Sequence, residues 1–421
     1  MNLHDSEKMI GLLSEGGYSP TDNPENADLI IFNTCAIREK AEQKFYSQLG
    51  RARVLKNKNK ELKIAVAGCV AQDAKERIFR KAPFVDYIVG PQNIHMINDL
   101  LSRKQDIATG ENHNIAFNEF TASRQSNLKA WVSIMYGCNN FCSYCIVPYT
   151  RGKEISRPSS SIISEIKDLA RQGYQEVTLL GQNVNSYRSD MGFADLLKEI
   201  DAININRIRF VTSHPRDLSA DLIYALSDLP SLCEHIHLPL QSGADSILKS
   251  MNRRYTYEDY IRKIELLRNS LPDIAITTDI IVGFPGETDE DYLCTVKALR
   301  EIEFDGIFAF KYSKRKGTRA FEMPGQMSDQ IKSERLAFIL SLQEEITYKK
   351  NKELEGSIQE ILIEGPSETD NHMLSGRTRT NKIVTIPDSS EMTGSLVSVR
   401  ICKARQHSLS GVNTALETAL T

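Results

Sequence analysis

Residues 137–145 read GCNNFCSYC and set Cys138, Cys142 and Cys145 at the spacing C-x3-C-x2-C. Three thiolates so spaced can hold three corners of a [4Fe-4S] cluster and leave the fourth iron without a protein ligand. An iron with no protein ligand is a chemical site, because a substrate or cofactor can bind there. Zinc would want four Cys or His ligands, commonly as paired C-x2-C units, and no fourth ligand lies nearby. A disulfide framework would need an oxidising compartment. Three coincidental core thiols are the plain alternative, since free cysteine is often buried. The cysteines directly follow an apolar strand candidate, WVSIMYG (131–137), which puts the site at a strand's carboxyl end.

Working outward, five more strand candidates alternate with helices up to about residue 330. They are EVTLLG (176–181), IRFVTS (208–213), HIHLPL (235–240), IAITTDIIVG (274–283) and IFAFKY (307–312). Six βα units are too few for a closed eight-stranded barrel and match an open partial one, a (β/α)6 arrangement with its site at the carboxyl edge. Residues 1–105 also alternate helix and strand, with DLIIFN (28–33), KIAVAG (63–68) and DYIVG (86–90) as continuous apolar strands. That pattern indicates a parallel sheet covered on both faces. This α/β domain opens on a helix with no preceding strand. Residues 106–128 are polar and patternless, and read as a linker. The domain of residues 129–352 ends on an amphipathic connecting helix over 329–352. Beyond it, 353–421 carries short strands of a small β-barrel and a loose tail, QHSLSGVNTALETALT.

Composition bounds the function. Of 421 residues, 41% are hydrophobic and 25% charged, ordinary values for a globular protein. No apolar run reaches membrane-span length and MNLHDSEKM lacks a signal-peptide layout, so a cytoplasmic, membrane-free location is expected for the eight cysteines. The net charge of −3 excludes a molecule that is basic overall. Charge is uneven: residues 51–63 carry six Lys/Arg against one Glu, and 374–407 carry six against two acids. The first patch reads as a solvated face. The second contains GRTRTNKIV, whose Arg377, Arg379 and Lys382 suit a phosphate backbone.

The segment WVSIMYGCNNFCSYCIVPYTRGKEISR resembles the cluster loop of radical S-adenosylmethionine (SAM) enzymes, in the form used by MiaB-type tRNA methylthiotransferases. The resemblance continues through LLGQNVNSY, VTSHP, LPLQSG, DIIVGFPGET, FKYS and GRTRTNKIV, nearly the whole chain. It implies the partial barrel of radical SAM enzymes and a C-terminal barrel of the TRAM type. It also implies a SAM molecule on the open iron, with Tyr144 beside its adenine. Gly181, Gln182, Asn183, Ser213, His214 and Gly283, at strand ends, are the candidates to position it; no catalytic residue is expected beyond the cluster ligands. The family's auxiliary [4Fe-4S] cluster delivers sulfur. Cys35 (in NTCAIREKA) and Cys69 (in AGCVAQ) match two of its ligands; simple buried thiols are the alternative for this pair. A first strand ending in Gly-Cys-Gln-Met-Asn would carry the third. Because the chain starts at Met1-Asn2 inside that turn, the expected native start lies upstream.

The expected reaction is conversion of N6-isopentenyladenosine beside the tRNA anticodon to its 2-methylthio derivative. A flavodoxin- or ferredoxin-type donor and a monomeric enzyme are the accompanying expectations. Alternatives are a threonylcarbamoyl-adenosine tRNA substrate, a ribosomal-protein aspartate as in RimO-type relatives, or an RNA-binding iron-sulfur protein unable to insert sulfur. His235 and His237 alternate along one strand face and read as hydrogen-bonded strand residues. Cys233, Cys294 and Cys402 fit no cluster spacing and read as structural thiols.

Overall fold

The computed structural model describes residues 1–34, 39–117, 122–370, 372–387 and 392–417. Its first sheet is parallel, in the order β1 (Leu29–Asn33), β2 (Lys63–Ala67), β3 (Tyr87–Val89) and β4 (Asp106–Ala108). Val66 and Ile88 turn to one face, with Phe45, Leu49 and Val70 of the helices Glu39–Lys58 and Cys69–Ala74. Ala67 and Val89 turn to the other, with Met9, Leu13, Ile97 and Leu100 of the helices Asn2–Glu15 and Ile97–Leu101. Burial on both faces is why β2 and β3 are apolar without alternation. The linker reading of 106–128 is corrected at its start, since Asp106–Ala108 pairs with β3. Three residues show no period along the chain; the ladder hydrogen bonds to β3 make them a strand.

The second unit holds six parallel strands: β5 (Lys129–Ser133), β8 (Glu176–Leu180), β9 (Arg207–Phe210), β10 (His235–His237), β11 (Ala275–Val282) and β12 (Gly306–Lys311). They run in that order, with an Ile208–Leu232 bridge joining the β5-β8-β9 and β10-β11-β12 sheets. A short antiparallel pair, β6 (Met135–Tyr136) with β7 (Ile155–Ser156), interrupts the series. The outward strand residues Val132, Val177, Leu179, Phe210, Ile276 and Ile280 pack with Ile162, Leu196, Leu222 and Leu299 of the surrounding helices. Six strands and their helices thus form the open partial barrel expected from the sequence.

The helix Asp329–Lys352 leads into a closed barrel ordered β13 (Ile358–Pro366), β14 (Met373–Thr378), β15 (Ile383–Pro387), β17 (Leu409–Asn413), β16 (Leu396–Ala404). Part of the tail read as loose is therefore β17, which closes the barrel between β15 and β16. Leu409 is fully buried there with Ile363, Val384 and Ile401, a placement that stabilises by about 1.5–3 kcal/mol. Its segment, LSGVN, looks weak because Gly411 stands where a side chain would run into the Arg400 carbonyl.

This small barrel docks on the amino ends of the central strands, away from their carboxyl edge. Arg207, the first residue of β9, donates to the Arg377 and Glu360 carbonyls at 2.7 and 3.1 Å. Arg209 donates to the Thr378 and Arg379 carbonyls, both at 2.8 Å. In return Arg379 grips the Glu234 carboxylate at 2.8 Å and donates to the Pro230 and Leu232 carbonyls. Lys382 pairs with Asp305 at 3.2 Å and Asn351 at 3.0 Å, while Arg377 reaches Asn381 and Glu364. For Arg379 and Lys382 the reading as phosphate contacts gives way to this one: they fasten the barrel to the core, whereas the Arg377 side chain bonds only within the barrel. Arg379→Ala leaves Glu234 unpaired at that interface. It should loosen the barrel by about 2 kcal/mol, seen as earlier proteolysis after residue 352 and a lower barrel transition in calorimetry. Unchanged cleavage and melting with weaker RNA binding would restore the phosphate reading.

Candidate functional site

The β6–β7 pair clamps the two ends of the cysteine loop, Met135 opposite Ser156 and Tyr136 opposite Ile155. Inside the clamp the Cys138 amide donates to the Gly152 carbonyl at 3.1 Å. Gly137, at φ +72°, has the Lys153 carbonyl where a side chain would start, so only glycine fits. Ser143, between Cys142 and Tyr144, is tied from two sides. Its amide and hydroxyl donate to the Met251 and Ser250 carbonyls, and its carbonyl accepts from the Ala320 amide. The loop is therefore held on three segments distant in sequence.

Cys138 and Cys142 are buried and Cys145 half-buried. Burial, followed by the neighbouring Cys142, pushes the Cys145 thiol up to about 12; burial also raises Cys138. Thiols so placed ionise when a cation compensates them, which is what iron ligation provides. Among the described residues no three His, Cys, Asp or Glu side chains converge on one metal ion. A four-iron cluster takes each thiolate on a different iron and needs a wider set. Arg253 is the charged neighbour here. Its guanidinium lies 3.4 Å from Cys142 Sγ and 3.4 Å from the Tyr144 hydroxyl, and donates to the Pro239 carbonyl at 2.8 Å. Tyr144 packs beside Ala244, Phe284 and Tyr312.

The carboxyl ends of β8, β9 and β10 bring polar side chains to the same edge. Both amide atoms of Gln182, Asn183 Oδ1, Ser213 Oγ, His214 Nε2 and Gln241 Oε1 are buried without a hydrogen-bond partner among the described residues. Each such atom costs about 1–3 kcal/mol unless something binds it, so this edge has the donors and acceptors that a polar cofactor such as SAM requires. Asn183 is oriented by its amide donating to Asp217 at 2.7 Å, and His214 is held by Asn185. Burial, then the positive charges of Arg253, Arg216, Lys263 and Arg254, pulls His214 down to about 2. The ring is neutral at physiological pH and the edge around it is electropositive.

Two glycines of the expected set have other neighbours. The side-chain space of Gly181 is filled by Met135, and that of Gly283, at φ +69°, by Lys332. Gly283 thus permits close approach of the helix Asp329–Lys352. His235 and His237 both reach the Thr277 hydroxyl, at 3.4 and 3.0 Å, as strand residues on one face. Cys233 is buried, whereas Cys294 and Cys402 lie on the surface, apart from the site.

At the first sheet's carboxyl edge, Cys69 opens a helix and is buried. Cys35 lies outside the described residues; next to it, the Thr34 carbonyl accepts from the Val70 amide at 3.2 Å. Cys69 faces the cysteine loop through Arg151, which hydrogen-bonds its sulfur. Arg151 also pairs with Asp5 at 2.7 Å and donates to Asn2, while its carbonyl accepts from Gln92. Burial opposes the Arg151 charge, and Asp5 and Cys69 together outweigh it. This explains why the helix Asn2–Glu15 buries charged residues: Lys8 donates to the Tyr136 hydroxyl from the same face. Sequence reasoning missed Arg253, Gln241, Arg151 and Asp5. Gln241 and Arg151 lie in LPLQSG and PYTRG, segments that carry the family resemblance, but nothing local marks Asp5 or Arg253.

Residues 132–299 match the Radical SAM superfamily, 1–90 match Uncharacterized protein family UPF0004, and 352–412 match the TRAM domain. The chain is 54% identical over 415 residues to the tRNA-2-methylthio-N(6)-dimethylallyladenosine synthase of Thermodesulfovibrio yellowstonii, covering 98% of this chain and 96% of that protein. It is 51% identical to the protein of that name from Syntrophus aciditrophicus (98% and 92% covered) and 50% to that of Caldicellulosiruptor saccharolyticus (98% and 90%). Among solved structures, the radical S-adenosylmethionine methyltransferase TsrM from Kitasatospora setae shares the fold, with a TM-score of 0.55 and 14% identity over 75% of this chain and 70% of that one. No helix among the described residues is long and apolar enough to cross a membrane.

Proposed function

The chain belongs to the family of tRNA-2-methylthio-N(6)-dimethylallyladenosine synthases, and we propose that it converts N6-isopentenyladenosine beside the tRNA anticodon to the 2-methylthio form. The observation that carries this reading is the meeting of Cys138, Cys142 and Cys145 with the partnerless polar groups of Gln182, Asn183, Ser213 and Gln241, within one electropositive edge that also faces Cys69. The three loop cysteines would hold one [4Fe-4S] cluster, and Cys69 with Cys35 would contribute to the auxiliary one. When bound, the clusters and SAM supply one-electron cleavage chemistry, sulfur and the methyl group.

The chain's own residues do the positioning. Arg253 steadies Cys142 and Tyr144 together, so the loop thiol and the aromatic keep one relative placement. Neutral His214 presents Nε2 as a hydrogen-bonding atom without adding charge. Arg254 and Lys263 favour anionic groups, whether a cofactor carboxylate or an RNA phosphate, while Arg216 is already paired with Asp217. The target carbon bears hydrogen and resists polar nucleophiles, so its base must leave the loop stack and enter this edge. The protein is proposed to act in the cytoplasm as a monomer, with an electron from a flavodoxin- or ferredoxin-type donor.

The test is nucleoside mass spectrometry of isopentenylated tRNA incubated anaerobically with the reconstituted protein, SAM and a reductant. A 2-methylthio-N6-isopentenyladenosine peak is expected. A product on threonylcarbamoyl-adenosine or on a ribosomal protein, with none on this tRNA, would overturn the assignment.

A further inference from the structure

We propose that Phe141 and Tyr149 form a stacking platform for an unpaired nucleobase of the tRNA loop next to the modified one; this rests on the tRNA reading above. Both rings stand in solvent, at 45% and 56% exposure, although aromatic rings of this size usually contribute to cores or interfaces. They meet edge to face, with centroids 6.1 Å apart and planes at 80°. That arrangement leaves at least one ring face uncovered.

The backbone supports the outward placement. Phe141 has φ +46°, a left-handed conformation that a bulky side chain adopts only when its surroundings impose it. Asn252 imposes it here, its side-chain amide donating to the Asn140 and Phe141 carbonyls at 3.2 and 3.0 Å. Phe141 lies between Cys138 and Cys142, so its ring is displayed at a fixed place relative to the cysteine site. A ring with no packing partner in the core, presented from a strained residue, has a surface to offer.

Charge selects the partner. Arg254 follows Asn252 by two residues and Arg319 precedes Ala320, whose amide bonds the loop at Ser143. Both guanidiniums are exposed and form no ion pair among the described residues. Exposed aromatic faces on a loop bonded to segments that carry these unpaired arginines match single-stranded RNA, where splayed bases stack and phosphates meet the cations. An apolar peptide would use the rings and leave the arginines without a counterpart.

The experiment uses the reconstituted full chain and an isopentenylated anticodon stem-loop carrying 2-aminopurine at either neighbour of the target base. Binding should quench the fluorescence at one of the two positions. Tyr149→Leu and Phe141→Leu should each relieve the quench and weaken binding about tenfold, whereas Tyr149→Phe and Phe141→Tyr keep both. Iron content and visible absorbance show whether a variant retains its loop; Tyr149 lies outside the cysteine triplet and carries the test if Phe141→Leu loses iron. Unchanged quench and affinity in the Tyr149→Leu protein, with wild type binding and methylthiolating the RNA, overturn the platform alone. Wild type that fails to bind the stem-loop overturns the tRNA reading and the platform with it.

Discussion

Cys142→Ala is expected to abolish methylthio product and to cut the iron content of the anaerobically reconstituted protein by about four atoms. The alanine removes one of three thiols from a loop pinned by β6–β7, by Ser250 and Met251, and by Ala320, so no other cysteine can move in. It also leaves the Arg253 guanidinium without the sulfur it faces at 3.4 Å. Arg253 keeps its hydrogen bonds to Pro239 and Tyr255, so the fold should survive while the cofactor chemistry is lost. Formation of 5′-deoxyadenosine from SAM is the readout, next to iron and sulfide analysis. Cys402→Ala, on the exposed face of the small barrel, serves as the comparison and should keep full iron and full product. Normal iron and SAM cleavage in Cys142→Ala would remove the loop from the cluster and with it the central assignment.

The second large effect is expected at Asp5. Its carboxylate and the Arg151 guanidinium are 4% and 7% exposed and 2.7 Å apart. Removing one member of a buried pair leaves an uncompensated charge, typically at a cost of about 3–5 kcal/mol. Asp5→Ala should therefore lower the denaturation midpoint markedly and let the first sheet open before the central barrel. Asp5→Asn keeps a hydrogen-bond acceptor and should lose less. Because Arg151 also bonds the Cys69 sulfur, methylthio product should fall more steeply than SAM cleavage. The double variant Asp5→Ala/Arg151→Met removes both charges and should regain much of the stability without regaining product. Equal midpoints for wild type and Asp5→Ala would show that the pair does not hold the two units together.

Features that depend on near neighbours in the chain are legible in the amino-acid order. Cys138, Cys142 and Cys145 have to share one loop, because a run of eight residues cannot separate them, and their candidate chemistry follows from spacing. The central strands are readable because burial on both sides makes runs such as EVTLL mostly apolar, without a strict alternation. Gln182, Asn183 and Ser213 emerge by the same logic, as polar residues at the ends of such runs. The short strands β4 and β17 escape it, since three to five residues give no period and hydrogen bonds to remote partners define them.

The charges divide most clearly. In sequence, GRTRTNKIV is a basic, exposed-looking segment, and nothing in it tells a cation facing solvent from one facing protein. Arg379 finds Glu234 across 145 residues, and Arg151 finds Asp5 across 146. Pairing over such distances leaves no local pattern, because the partner is chosen by how the domains pack. The reverse holds for Phe141, whose apolar ring suggests burial until the left-handed backbone turns it outward. Spacing and periodicity along the chain encode the candidate cluster ligands, the succession of strands and the family of chemistry. Which arginines fasten domains, which remain open to RNA, and which buried polar atoms await a ligand is decided only on folding, because each depends on what its side chain meets once distant segments have packed together.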